Sequence, residues 1–216
     1  MAWNTEETKR QLKEAAAEEF AARGLHGARM EQIAQRAGIN KERLYNYFGN
    51  KERLFSTVLA EELTKAAAAV PISSLEVEDI AEYAGRAFDY HVANPRLTRL
   101  LHWEGLTSAV EEVSEESERQ SHYHDKVAAL ANAGHGAAHG LTTEDLLFSV
   151  LSVVCWRFAT PQVERMIVGP VSTEKALAAR RAAVVEAARR LALQHDEDPS
   201  APGDEPNRDQ LGGVNS

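Results

Sequence analysis

The sequence predicts an all-α protein, and three observations carry that reading. Apolar residues recur three and four positions apart in Ala-rich runs along the chain. No stretch shows the sustained alternation of a half-buried strand. Asn, Ser, Thr, Gly and Pro stand where helices of ordinary length would start and stop.

The elements follow in order. Asn4 caps a first helix, with Glu7 at the capping-box position. Leu12, Ala16 and Phe20 share one face, and Gly24 ends it. A short helix runs from Met30 to Ala37 and stops at Gly38; Asn40 caps another through Tyr47. Gly49 and Asn50 break the chain, and Asn50 caps a longer helix that carries Leu54, Phe55, Val58, Leu59 and Leu63 and runs until Pro71. Ser73 with Glu76 opens the next, striped by Ile80, Ala84, Ala87, Phe88 and His91. Asn94-Pro95 restarts the chain as cap and first-turn proline. Residues 107 to 131 read as one helix with an acidic surface, and Gly134, Gly136 and Gly140 mark a loop. Thr142 with Asp145 starts an apolar helix to residue 159; Pro161, Gly169 and Pro170 bound an irregular stretch; Ser172 caps a last helix through Gln194. Residues 196–216 hold three prolines and three glycines among polar residues and read as a disordered acidic tail.

Composition narrows the classes. The 216 residues are 44% apolar and 26% charged, which is ordinary globular usage. The net charge of -9 argues against a surface coated for nucleic acid, but it is uneven. Residues 1 to 55 hold ten Lys/Arg against eight Asp/Glu, and the rest hold fourteen against twenty-five. The first segment tolerates phosphates, and the rest repels them. The single cysteine, Cys155, excludes an internal disulfide framework and any multi-cysteine zinc site. No apolar run approaches the ~18 residues of a membrane span, and the polar N-terminus lacks a signal-peptide pattern. A soluble protein of a reducing cytoplasm, with no cofactor and no membrane partner, is expected.

The most informative stretch is MEQIAQRAGINKERLYNYFGNKERLF, residues 30 to 55. Ile33 and Ala34 face a core from one short helix, Gly38 permits a tight turn, and Leu44 and Phe48 anchor the second helix on the same core. Two short helices joined this way form a helix-turn-helix, whose second helix enters the major groove. Its outward residues here are Asn40, Lys41, Glu42, Arg43, Tyr45, Asn46 and Tyr47. Arg and Asn match guanine and adenine bidentately. Lys51 opens the following helix, where free N–H groups favour a phosphate, and Arg29 precedes the pair and can hold the backbone.

On these residues the segment resembles the DNA-binding signature of TetR-family transcriptional regulators. The run I-A-x-x-A-G-I-N-K-x-x-L-Y-x-Y-F-x-N-K-E-x-L carries Ile33, Ala34, Ala37, Gly38, Leu44, Tyr45, Tyr47, Phe48, Lys51, Glu52 and Leu54 in register, and the likeness covers about residues 5 to 55. Asn40 stands where the family often has Ser or Thr, Glu42 where a small residue is common, and Arg29 where Thr is frequent. The resemblance implies a three-helix DNA-binding head over 1–49, a helical ligand-binding and dimerisation body over 50–195, a homodimer, a double-stranded operator and a small-molecule inducer. It implies DNA contacts from Arg29, Asn40, Lys41, Arg43, Tyr45, Asn46, Tyr47 and Lys51. A repressor released by its ligand is the favoured reading. A small-molecule binding protein acting through protein contacts is the alternative, and an enzyme the last.

The remaining candidates carry less. Phe88, Trp103, Glu104, Tyr123, Phe148 and Trp156 suit an aromatic ligand pocket in the body, with Glu104 placed to attract a cation. His122, His124, His135 and His139 invite a metal, but 122 and 124 point to different helical faces and 135 and 139 lie in the glycine loop, so no metal site is expected. Ser121, His124 and Asp125 lack the G-x-S-x-G elbow of a hydrolase. The helices 142 to 159 and 172 to 194 are the dimer candidates, through Leu147, Val150, Leu151 and Val154 on one, and Leu177, Ala178, Val184, Val185, Ala188 and Leu191 on the other.

Overall fold

The computed structural model describes residues 5–72, 74, 76–107, 120, 121, 123, 124, 127, 128, 142–170 and 173–196, with side chains up to 193 in the last helix. Among the described residues there is no strand. The helices are α1 (Thr5–Gly27), α2 (Met30–Ala37), α3 (Lys41–Phe48), α4 (Lys51–Ala69), α5 (Val77–Ala93), α6 (Pro95–Thr107), α7 (Thr143–Ala159), α8 (Pro161–Val168) and α9 (Glu174–Asp196). Asn4, Ser172, the acidic run 108–119, the glycine loop and the tail from 197 lie outside the described residues.

Local chemistry sets most boundaries. Asn40 Oδ1 accepts from Glu42 N at 2.8 Å and Asn50 Oδ1 from Arg53 N at 2.7 Å. Thr142 Oγ1 accepts from Asp145 N at 3.1 Å. The expected caps Ser73 and Ser172 lie outside the described residues, and one expectation, the stretch from Pro161, needs correction. The fifth helix starts at Val77, and the hydroxyl that meets its entry is Ser74, which accepts from Glu76 N at 3.1 Å. Thr173 accepts from Ala176 N at 3.1 Å and serves as the cap of α9. The stretch from Pro161 is not irregular but a two-turn helix, α8, with proline at its first position and Gly169 at its end.

Two apolar cores organise the chain. The first joins Leu12, Ala16 and Phe20 of α1 to Ile33, Leu44, Leu54, Phe55 and Leu59 of α2–α4, and it also takes in Leu97 and Leu100 of α6. Phe20 and Phe55 meet edge to face, centroids 5.2 Å apart. The second joins Ile80, Tyr83, Ala84 and Phe88 of α5 to Leu146, Val150 and Val154 of α7 and to Val184 and Ala188 of α9. Two ion pairs, the second of them bidentate, tie α9 to α5. Arg181 Nε lies 2.8 and 2.9 Å from the Asp89 oxygens, and Arg189 pairs with Glu78 at 2.8 and 2.9 Å.

Helix α6 is the bridge between the cores. Its Arg96 pairs with Glu14 and Glu18 of α1 and with the buried Glu62 of α4, the last at 3.4 Å. Its Trp103 lies against Gly24, where α1 breaks with φ 69° and ψ 177°. The indole Nε1 donates to Ala21 O at 3.4 Å. A Cβ at residue 24 would stand 2.6 Å from the indole, so the glycine is required twice, by its backbone and by its neighbour.

Candidate nucleic-acid interface

The turn between α2 and α3 is built by Gly38 in the left-handed region, φ 67° and ψ 27°. Its N–H donates to Gln35 O at 3.1 Å, and Ile39 N donates to Ala34 O at 2.9 Å. Ile39 then tucks into the core, so the pattern is a Schellman stop with its apolar contact. Leu44 and Phe48 are buried and fix the rotation of α3 about its axis. Lys41, Glu42, Tyr45 and Asn46 are turned outward, Tyr45 with 39% of its surface exposed. Arg43 and Tyr47 are half-buried at the edges of that face, and Arg29 and Asn40 are exposed at its margin. Gly38, Ile39, Asn40, Glu42, Arg43 and Asn46 line a shallow concavity at the start of α3.

The charges on this face are partly pre-engaged. Lys41 pairs with Glu31 of α2 and stands 5.6 Å from the centre of the Tyr45 ring. The hydrogen bond to Glu31 holds the Lys41 ammonium above its usual range, and the same bond holds the Glu31 carboxyl below its own. Lys51 Nζ donates to His26 O at 3.3 Å and Ala28 O at 3.4 Å, the carbonyls that leave α1. Its ammonium therefore closes the turn into α2 as well as standing at the start of α4.

The body residues are not brought together. Phe88 is fully buried between α5 and α7. Trp103 belongs to the first core, and Glu104 is half-buried one residue on. Tyr123 is exposed. Phe148 and Trp156 are 73% and 63% exposed on the outer face of α7. The dimer residues fare in the opposite sense. Leu147, Val150 and Val154 are buried within this chain, as are Val184 and Ala188, while Leu151, Leu177, Val185 and Leu191 are half-buried and Ala178 is exposed. Among the described residues no group of three His, Cys, Asp or Glu converges as metal ligands; His122, Asp125, His135 and His139 lie outside them.

Comparison with known proteins assigns both halves. Residues 12–58 match "Bacterial regulatory proteins, tetR family", and residues 79–190 match "Tetracyclin repressor-like, C-terminal domain". This chain belongs to the tetR family. It is 41% identical over 169 residues to the HTH-type transcriptional repressor SCO4008 of Streptomyces coelicolor, covering 76% of this chain and 85% of that one. It is 31% identical over 109 residues to the HTH-type transcriptional repressor NicS of Pseudomonas putida, covering 49% and 51%. Among solved structures it resembles SCO4942 of Streptomyces coelicolor, with TM-score 0.69 and 30% identity over 85% of this chain and 97% of that one. The protein is a helix-turn-helix, DNA-binding transcriptional regulator and not an enzyme. Among its described residues no single helix is long and apolar enough to cross a membrane.

Two features of this tetR-family head are not signalled by the helix-turn-helix pattern of residues 30 to 55. Lys9 of α1 stands 5.8 Å from the centre of the Tyr47 ring, which adds a cation beside α3 from a distant part of the sequence. Glu31 sets where the Lys41 ammonium rests. No local spacing signals either, because each depends on how α1 and α2 cross α3.

Proposed function

We propose that this regulator is a repressor that binds a near-palindromic operator as a homodimer and leaves it when a small molecule occupies the body. The observation that carries the DNA half is the division of α3. Its apolar residues are sunk in the head, and its polar and cationic residues form one exposed face. Two such heads would enter successive major grooves about 34–36 Å apart. Arg29, Tyr47, Lys51 and Lys9 would hold phosphates, and Asn40, Lys41, Arg43, Tyr45 and Asn46 would meet base edges or flanking phosphates. Phe148 and Trp156 on α7, with the exposed alanines and Leu193 of α9, supply the apolar surface for the second copy. Release requires the effector to bind the DNA-incompetent arrangement more tightly than the competent one. Helix α6, which grips α1 and α4 through Arg96, and α1 through Trp103, supports a mechanical link from body to head.

The test is a gel shift with DNA from upstream of the protein's own reading frame, titrated at several salt concentrations. The reading expects a discrete complex whose log affinity falls linearly with log salt. Arg43→Ala should relax preference at one operator position by about 1–3 kcal/mol. Failure to shift any upstream fragment at low salt would overturn the proposal.

A further inference from the structure

Among the described residues, Arg157 is a cation of the body that is not fully used. Arg157, near the end of α7, has its guanidinium 4.7 Å from the centre of the Phe88 ring and 5.1 Å from that of Phe158. Its Nη2 bonds Glu164 of α8 at 3.1 and 3.2 Å, and the two side chains are only 13% and 15% exposed. Among the described residues its Nη1 is buried with no hydrogen-bond partner. A buried donor left idle is costly, and native proteins keep few of them. The surroundings are aromatic. Phe88 and Phe158 lie 5.8 Å apart, and the His91 ring lies 5.6 Å from Phe158, tilted by 33°. His91 bonds Thr98 Oγ1 at 2.8 Å and meets Cys155 Sγ at 3.4 Å, so its own polar atoms are engaged.

The element over this site is lightly held. Helix α8 leaves α7 at a bend of 91° and has no buried residue. Met166 and Ile167 are 73% and 76% exposed. Besides the Glu164 pair, α8 is tied by Arg180 Nη2 donating to Val168 O at 3.4 Å, and among the described residues Arg180 Nε is buried without a partner. A helix with so few buried contacts opens at low cost.

We infer that Arg157 is the anchor of an effector site between α5, α7 and α8, and that the site takes an uncharged planar aromatic molecule carrying a carbonyl oxygen, such as an aryl amide, ketone or lactone. The inference deepens the ligand-responsive reading and rests on it. The carbonyl accepts from the idle Nη1, and the half-buried Phe158 ring flanks the flat face. Charge selects the class. Glu164 already neutralises Arg157, so a carboxylate ligand would leave an uncompensated negative charge in a poorly solvated place, and a cation would compete with Arg157 for Glu164. Helix α8 moves aside to admit the ligand and returns over it.

The test uses three probes with one ring system: 2-naphthamide, 2-naphthoate and 2-naphthylmethylamine, each titrated calorimetrically into the full-length protein. The wild type should bind 2-naphthamide at least about tenfold more tightly than either charged probe. Glu164→Gln removes the neutralising charge, so its preference should swing toward 2-naphthoate by about tenfold or more. A merely structural Glu164 would not reorder the probes. Arg157→Met paired with Glu164→Gln, which leaves no lone buried charge, should lose 2-naphthamide by at least about tenfold while melting cooperatively. Preference for a charged probe in the wild type, an unchanged ranking in Glu164→Gln, or no binding of any probe at millimolar concentration would overturn the assignment. A gel shift on the same preparation separates the two levels. A retained operator complex with a failed probe series removes only this site, whereas no complex removes the regulator reading and this site with it.

Discussion

Replacing Gly24 with alanine probes the joint between head and body. The backbone there has φ 69° and ψ 177°, a region open almost only to glycine, and a side chain held in it costs about 1–3 kcal/mol. The added methyl would stand 2.6 Å and 2.7 Å from Trp103 Cδ2 and Cε3. No real Cβ tolerates that approach, so the indole or α1 must shift, a further ~1–3 kcal/mol by analogy with overpacked cores. The total, about 2–6 kcal/mol, is a large share of a domain's ordinary ~5–15 kcal/mol. For a chain of this size it corresponds to a melting temperature lower by roughly 5–20 °C. Far-ultraviolet circular dichroism on heating and the urea midpoint measure it. The double variant Gly24→Ala, Trp103→Ala separates the two causes. Removing the indole abolishes the overlap and leaves the backbone cost, so the double variant should be more stable than the sum of the singles by about 1–3 kcal/mol. If Gly24→Ala melts with the wild type, or if the two substitutions simply add, the close approach of α6 to α1 is not as described.

Lys51→Met should act twice: it removes the charged donor from the carbonyls of His26 and Ala28, at about 1–2 kcal/mol of stability, and it should lower the operator salt slope by about one unit. A loss of stability with an unchanged slope would confine Lys51 to closing the turn. His91 gives a pH dependence whose sign follows from its burial among Thr98, Cys155, Tyr90 and Phe158, which holds the imidazole below its usual pKa. Below about 6.5 the unfolded chain takes up a proton that the folded one refuses, so stability should fall with acid by up to ~1.4 kcal/mol per pH unit until the folded value is reached. Melts between about pH 7 and 5 should show this decline in the wild type and a shallower one in His91→Gln, and equal slopes would remove His91 as the cause. Phe148→Ser with Trp156→Ser should shift sedimentation toward a single copy while leaving the helix content intact; an unchanged sedimentation profile would place the dimer contact elsewhere.

The head was readable because its signals are local. Gly38, Asn40 and Asn50 each satisfy orphan backbone groups within a few residues, and the structure shows those bonds. The body was less readable for identifiable reasons. Pro161 and Gly169 read as breakers in sequence, although a proline at the first position and a glycine past the last also delimit a helix. Phe148 and Trp156 drew attention as aromatics, but they fall on the side of α7 opposite Leu147, Val150 and Val154, and helical phase alone turns them outward. Arg157 carries no sequence signal because its partners are Phe88, some seventy positions earlier, and Glu164 beyond the bend. The Lys9–Tyr47 contact likewise arises only once helices distant in sequence cross, and the Lys41–Glu31 pair depends on the angle between the neighbouring α2 and α3.

The sharing of α6 bears on how such regulators exchange parts. Leu97 and Leu100 complete the apolar interior of the first four helices, and Arg96 answers carboxylates on two of them. A chimaera that transplants only residues 1–49 onto a foreign body would part Glu14 and Glu18 from Arg96 and the core of α1–α3 from Leu97 and Leu100. A workable graft must carry the α6 surface along with the recognition segment, so the packed head of this protein is encoded in two separated stretches of gene rather than one.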